Sequence, residues 1–134
     1  IKLNIIGEIK KLSKNLQITL NKSIKLTKKN NKIIVNLAIN YGSKNEIVTS
    51  IKNIKNIRLI DEKKISSNLS TKDFPDPDIL IRTGGKKRLS NFMLWQLAYT
   101  EIFFLEKLWP DFNNRDLKRV LNKFKSIKRN FGNI

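Results

Sequence analysis

Cysteine and histidine are both absent from the 134 residues. Without thiols there is no disulfide framework and no thiolate metal site. Without imidazole there is no Ser-His-Asp or Cys-His triad, no zinc set that needs histidine, and no histidine pH switch within the chain. Any catalytic site must therefore be assembled from carboxylates, hydroxyls, amides and cations. Long apolar runs are lacking as well. No stretch approaches the roughly 18 residues of a membrane span, and the first residues have no signal-peptide core, so a cytoplasmic location is expected. The length bounds the chain to one domain at most. It opens Ile1-Lys2-Leu3, straight into a strand-like run with no initiator Met, which reads as a chain cut out of something longer.

Acid is scarce too: 11 Asp and Glu stand against 28 Lys and Arg, for a formal charge of +17. Such a balance ordinarily points to nucleic acid. Here the composition supplies a competing cause. Twenty-two Lys, 20 Ile and 17 Asn make up 59 of the 134 residues, and all three are encoded by adenine- and thymine-rich codons. The excess is uneven, with 16 basic and 4 acidic residues in 1–72 but 12 and 7 in 73–134. Codon drift onto solvated faces explains diffuse lysine, so no nucleic-acid partner is expected.

What is present alternates between two periods. Lys2 to Ile6 reads as a short buried strand ending at Gly7. From Glu8 to about Lys28, Ile9, Leu12, Leu16, Leu20 and Ile24 recur every three to four residues and predict one amphipathic helix. Ile33 to Ile39 is a β-branched run expected to be a strand covered on both faces. Asn40-Tyr41-Gly42 then turns the chain, and Ser43 with Glu46 offers a capping box for a helix through Ile47, Ile51 and Ile54. A short helix is expected over Asp61 to Leu69, then strands at Ile79–Ile81 and Ile102–Leu105, and a last helix from Asn114 to about Asn130. Strands separated by helices of this length imply an α/β fold with a mainly parallel central sheet flanked by helices. Ligands in such folds gather at the carboxyl ends of strands. Asn40-Tyr41-Gly42 and Arg82-Thr83-Gly84-Gly85 have that address.

The second of these loops is the richer in chemistry. A strand delivers Arg82 to its end, two glycines permit a close fold, and Arg88 and Ser90 follow. Two guanidinium forks, a hydroxyl and exposed backbone N–H groups make a phosphate or diphosphate receptor. A surface turn with incidental cations is the alternative. The loop is neither a Walker A sequence nor a dinucleotide fingerprint. Glu101 places a carboxylate between the apolar stretches Leu97-Ala98-Tyr99 and Ile102-Phe103-Phe104, which requires a partner. Magnesium bridging to a diphosphate is one candidate and a nearby Arg is the other. Trp95 and Trp109 read as packing residues, Asp111 as a turn or helix cap, and Asp78 as a group that orients an Arg or caps a turn.

The run I-R-T-G-G-x-x-R-L-S-N-F-x-L-W-Q-x-A-Y-x-E-x-x-F, followed by L-W-P-D-F, resembles the carboxyl-terminal signature of cis-prenyltransferases, in the form of the bacterial undecaprenyl diphosphate synthases. Asn40-Tyr41-Gly42, Ile5-Ile6-Gly7 and Arg129 through Gly132 extend the resemblance over nearly the whole chain. It implies that residues 1–134 are the carboxyl-terminal portion of a single cis-prenyltransferase domain. It also implies an enzyme that condenses isopentenyl diphosphate onto an allylic diphosphate, usually farnesyl diphosphate, with a new cis double bond at each addition. The product would be undecaprenyl diphosphate, the lipid carrier precursor for cell-wall synthesis. Carried over by position, Arg82, Arg88, Leu89 and Ser90 would bind the isopentenyl diphosphate and Glu101 would bind Mg2+. A homodimer and a peripheral membrane contact for product release follow in the same way.

Three departures from the pattern stand out. The family's H-x-M-D-G-N-x-R-W-A motif is absent, so no catalytic residue is assigned in this chain, and the 134 residues alone are expected to be inactive. Lys86-Lys87 replace a pair that is commonly Glu-His or Glu-Gln. Asn130 stands where an arginine is usual. The competing readings are a non-catalytic partner subunit of the same fold and a basic nucleic-acid-binding module.

Overall fold

Pro75 and Pro77, neither of which can donate a backbone hydrogen bond, mark the boundary between two units, Ile1–Pro75 and Asp76–Ile134. The structure is a computed structural model and describes residues 1–130. Phe131 and Gly132, part of the expected tail motif, lie outside the described residues.

In the first unit, β1 (Lys2–Ile6) and β2 (Ile34–Ala38) pair in parallel, with Lys2 opposite Ile34 and Ile6 opposite Ala38. Helix α1 (Lys14–Thr27) makes the crossover between them and packs on β1. The Leu3 N–H donates to the Thr27 hydroxyl at 3.1 Å, which anchors the end of the helix to the strand. The expected helix from Glu8 is interrupted: Ile9–Lys11 is a 3-10 turn, and Leu12 and Ser13 are extended before α1 begins. The Gln17 amide holds this corner by donating to the Leu12 carbonyl at 2.7 Å. The apolar period alone could not show a break that a side-chain amide stabilises.

The two strands are less covered than their sequences suggest. Only Ile6 is buried in β1, and Ile34 and Leu37 of β2 are exposed. The register explains part of this, since it sets Asn4 opposite Asn36, whose side chains hydrogen-bond at 3.1 Å on an exposed face. Helix α2 (Ser43–Lys52) and the short α3 (Glu62–Ser66) complete the unit. Asp61 caps α3 by accepting from the Lys64 N–H at 2.6 Å, as its acidic start predicts. The buried Ser50 hydroxyl donates to the Ile65 carbonyl at 2.8 Å and joins the two helices.

In the second unit, β3 (Ile79–Arg82) and β4 (Glu101–Phe104) pair in parallel, with Ile79 opposite Glu101 and Arg82 opposite Phe104. The apolar run Phe92–Tyr99 between them is a chain of turns, with left-handed backbone at Ser90, Asn91 and Met93. Leu97, Phe103 and Val120 form the buried apolar core of this unit. Helix α4 (Asn114–Lys125) is shorter than expected, ending at Lys125. Its cap is Asn113 rather than Asp111, which lies in the preceding 3-10 turn Trp109–Asp111. Asn113 and Asp116 form a reciprocal capping box. Trp109 does not pack in the core: it is 71% exposed and stacks on Phe112 with ring centroids 5.6 Å apart.

The α/β class and the parallel pairing agree with the sequence reading. Among the described residues the strands form two separate parallel pairs. No helix of the described residues is long and apolar enough to cross a membrane.

Candidate functional site

Strand β3 ends at Arg82, and the side chain of this residue turns back over the loop that follows. Its guanidinium donates to the Arg88 carbonyl and, at 3.0 Å, to the Ser90 hydroxyl. Arg82 therefore closes the loop from Thr83 to Ser90 into a ring. Arg88 is exposed. Leu80, Arg82, Arg88, Leu89, Ser90 and Phe92 are among the lining of a cavity of about 320 Å³. The four substrate-binding residues assigned from the sequence are thus brought together. The cavity pairs cationic and hydroxyl groups with apolar wall, which suits a ligand that has an anionic head and a short hydrocarbon.

The glycines permit the close fold expected of them, but their N–H groups are not the exposed donors that the sequence suggests. Gly84 and Gly85 adopt left-handed backbone, with φ +87° and +70°. Their N–H groups donate to the carbonyls of Lys107 and Leu105, each at 2.9 Å. These donors extend the pairing with the chain after β4 and do not face a ligand. The glycines serve by their shape: a Cβ on Gly85 would lie 2.5 Å from a Glu106 carboxylate oxygen. Lys86, Lys87 and Arg88 are exposed and present the positive charge.

Glu101 does not join this cluster. It lies opposite Ile79 at the start of β4, whereas Arg82 lies opposite Phe104, about 10 Å further along the strand direction. Glu101 is half-buried and lines a separate polar cavity of about 250 Å³ with Tyr99, Thr100, Lys128, Arg129 and Asn130. Arg129 in that cavity is directed elsewhere: it donates to Asp78 at 2.5 Å and to the Tyr99 carbonyl at 3.1 Å, and lies over the Phe124 ring. Asp78 thus orients an arginine, the first of its two sequence readings. Magnesium asks for several oxygen ligands and tolerates one or two carboxylates when phosphate supplies the rest. Among the described residues no three Asp or Glu side chains gather to hold a metal. Glu101 is a lone carboxylate beside two cations, away from the receptor loop, so the described residues do not by themselves fit a magnesium site.

The other strand-end address, in the first unit, holds residues that the sequence pattern misassigned. Gly42 caps α2, so Ser43 is its first residue and Glu46 is not a capping partner. Glu46 accepts from the Tyr41 hydroxyl at 2.6 Å, from the Ser70 N–H at 3.0 Å and from the Ser70 hydroxyl. Nearby, Lys11 donates to Glu8 and holds its carboxyl below the usual glutamate range, with help from Asn45. A cavity of about 260 Å³ opens among Glu8, Asn40, Tyr41, Asn45, Glu46 and Ser70. Gly7 is required at its edge: φ is +105°, and a Cβ would overlap the Ile39 carbonyl. Ser70 carried no sequence signal, because its partner lies 24 residues away.

A cavity lined by arginines, a hydroxyl and apolar side chains at a strand end of an α/β fold defines a class of site, and comparison with known proteins assigns the family. A family model described as "Putative undecaprenyl diphosphate synthase" matches residues 1–132, and the chain belongs to the undecaprenyl diphosphate synthase family. It is 42% identical over 134 residues to the isoprenyl transferase of Rickettsia sibirica, covering 98% of this chain and 59% of that protein. The isoprenyl transferase of Oceanobacillus iheyensis is 39% identical over 142 residues, covering all of this chain and 56% of that protein. Among solved structures, a probable undecaprenyl diphosphate synthase from Campylobacter jejuni matches with TM-score 0.90 and 35% identity, over 98% of this chain and 63% of that one. Lavandulyl diphosphate synthase from Lavandula x intermedia, solved in complex with dimethylallyl diphosphate, matches with TM-score 0.91 and 34% identity, over 98% and 60%. The chain spans about three fifths of the length of these curated relatives.

Proposed function

We propose that a protein carrying this chain at the full length of its relatives elongates an allylic diphosphate, farnesyl diphosphate, with isopentenyl diphosphate by cis addition, to give undecaprenyl diphosphate. The observation that carries this reading is the cavity at the end of β3. It sets Arg88 and Ser90 beside the apolar side chains of Leu80, Leu89 and Phe92. A diphosphate accepts charge-assisted bonds from the guanidinium and the hydroxyl, while a five-carbon alkenyl group rests on the apolar wall. Arg82 acts mainly by fixing the loop, since its guanidinium is engaged by the Arg88 carbonyl and Ser90. Family membership and relatives named isoprenyl transferases support the reaction class.

Were Mg2+ bound in the whole protein, Glu101 is the carboxylate this chain would offer it, and the ion would supply positive charge toward a diphosphate. Glu101 does not meet the Arg82 loop within the chain. The working protein is a cytoplasmic homodimer that touches the membrane when product leaves. The test is an elongation assay on a protein of the relatives' full length, with farnesyl diphosphate, radiolabelled isopentenyl diphosphate and magnesium. Labelled cis chains longer than farnesyl are expected, and the 134 residues alone should give none. A full-length protein that adds no unit to the starting chain would contradict the proposal.

A further inference from the structure

The longest helix of the first unit carries a feature that the reaction does not use. From residue 9 to residue 45 there are nine lysines and no acidic residue. Helix α1 turns Leu20, Ile24 and Thr27 toward β1, where Thr27 accepts the Leu3 N–H. Its opposite face sets Lys14, Ile18 and Lys22 one turn apart, with Lys25 beside them, all exposed. Apolar side chains stand among these lysines in solvent: Ile18 is 66% exposed and Leu26 is 74% exposed.

We propose that this outer face of α1 docks on an anionic lipid surface. Lysine ammonium groups are drawn to acidic headgroups, and Ile18 and Leu26 enter the boundary below them. A nucleic acid is the less suitable polyanion. Residues 9–45 contain no arginine, and residues 1–40 contain no aromatic side chain on which a base could stack. Exposed Ile and Leu beside the cations gain nothing from a phosphate backbone but gain from acyl chains. The inference supplies a surface for the membrane contact proposed above. Its test involves no catalysis, so failure here leaves the assigned reaction standing, and an inactive enzyme leaves this surface standing.

The experiment is co-flotation of the protein with vesicles of phosphatidylcholine alone or containing about one-third phosphatidylglycerol. Circular dichroism confirms that each variant keeps its fold. Binding to the anionic vesicles alone is expected. The triple variant Lys14→Glu, Lys22→Glu, Lys25→Glu should bind at least tenfold more weakly. Ile18→Ser with Leu26→Ser should bind several-fold more weakly and lose whatever binding survives raised salt. The control Lys118→Glu, Lys123→Glu, Lys125→Glu makes the same change in net charge on α4, and should lose much less. Three results would each overturn the proposal. They are no preference for anionic vesicles, an equal loss in the control triple, and indifference to the Ile18 and Leu26 changes with tighter retention on an RNA or DNA duplex.

Discussion

Two arginines six residues apart have different work. Arg82 is held by contacts within its loop, and Arg88 is left exposed. That division rests on Gly85, whose φ of +70° and close approach to Glu106 admit no side chain without strain. Gly85→Ala should destabilise the second unit by about 1–3 kcal/mol, read as a lower melting temperature. Adding Glu106→Ala should recover only part of the loss, because the backbone strain remains. Asp116 gives a residue-level pH dependence. Lys107 donates to its carboxylate at 2.8 Å, and the Asn113 N–H and Arg119 add to this, so its pKa is held below the usual aspartate range. A depressed carboxylate pKa stabilises the fold at neutral pH, and that contribution is lost as the pH falls through the depressed value. Asp116→Asn should lower the melting temperature at neutral pH, and the gap from wild type should narrow in acid. Arg82, Arg88 and Ser90 were legible in the sequence because a strand end, a glycine pair and a motif coincide there. The direction of the glycine N–H groups was not legible, since their acceptors, Leu105 and Lys107, lie twenty or more residues on.

Elements follow the hydrophobic period closely where one face is buried, and depart from it at their ends. Strands β3 and β4 fall within one residue of their expected positions. Helix α1 starts late because Leu12 and Ser13 are extended and Gln17 bonds back across the corner. A pattern of apolar spacing carries no trace of that bond. At α2, the Ser-x-x-Glu spacing suggested a capping box, yet the carboxylate of Glu46 reaches Tyr41 and Ser70 instead. Glu46 therefore ties the start of α2 to the segment after α3. Glu46→Ala should leave α2 helical and raise the hydrogen-exchange rate of the Ser70 amide, measured by NMR. An unchanged rate at Ser70 would remove this tether from the account.

The molecule as a whole carries a net charge of +17, from 28 Lys and Arg against 11 Asp and Glu. Arg82, Arg88, Lys86 and Lys87 gather at the end of β3, while the acid-free stretch of the first unit forms a second basic surface on α1. The total charge suggests a single polyanionic partner, whereas the sequence places its cations in two distinct groups, one on the loop after β3 and one on α1. The central claim is that the loop after β3 binds the isopentenyl diphosphate head, and calorimetric titration of that compound into wild-type protein and Arg88→Ala tests it most directly. Arg88 makes no side-chain hydrogen bond that holds the loop, and truncating it should leave the melting temperature unchanged. The account predicts binding at least tenfold weaker in Arg88→Ala, from loss of a charge-assisted pair. Equal affinity in the two proteins would contradict it.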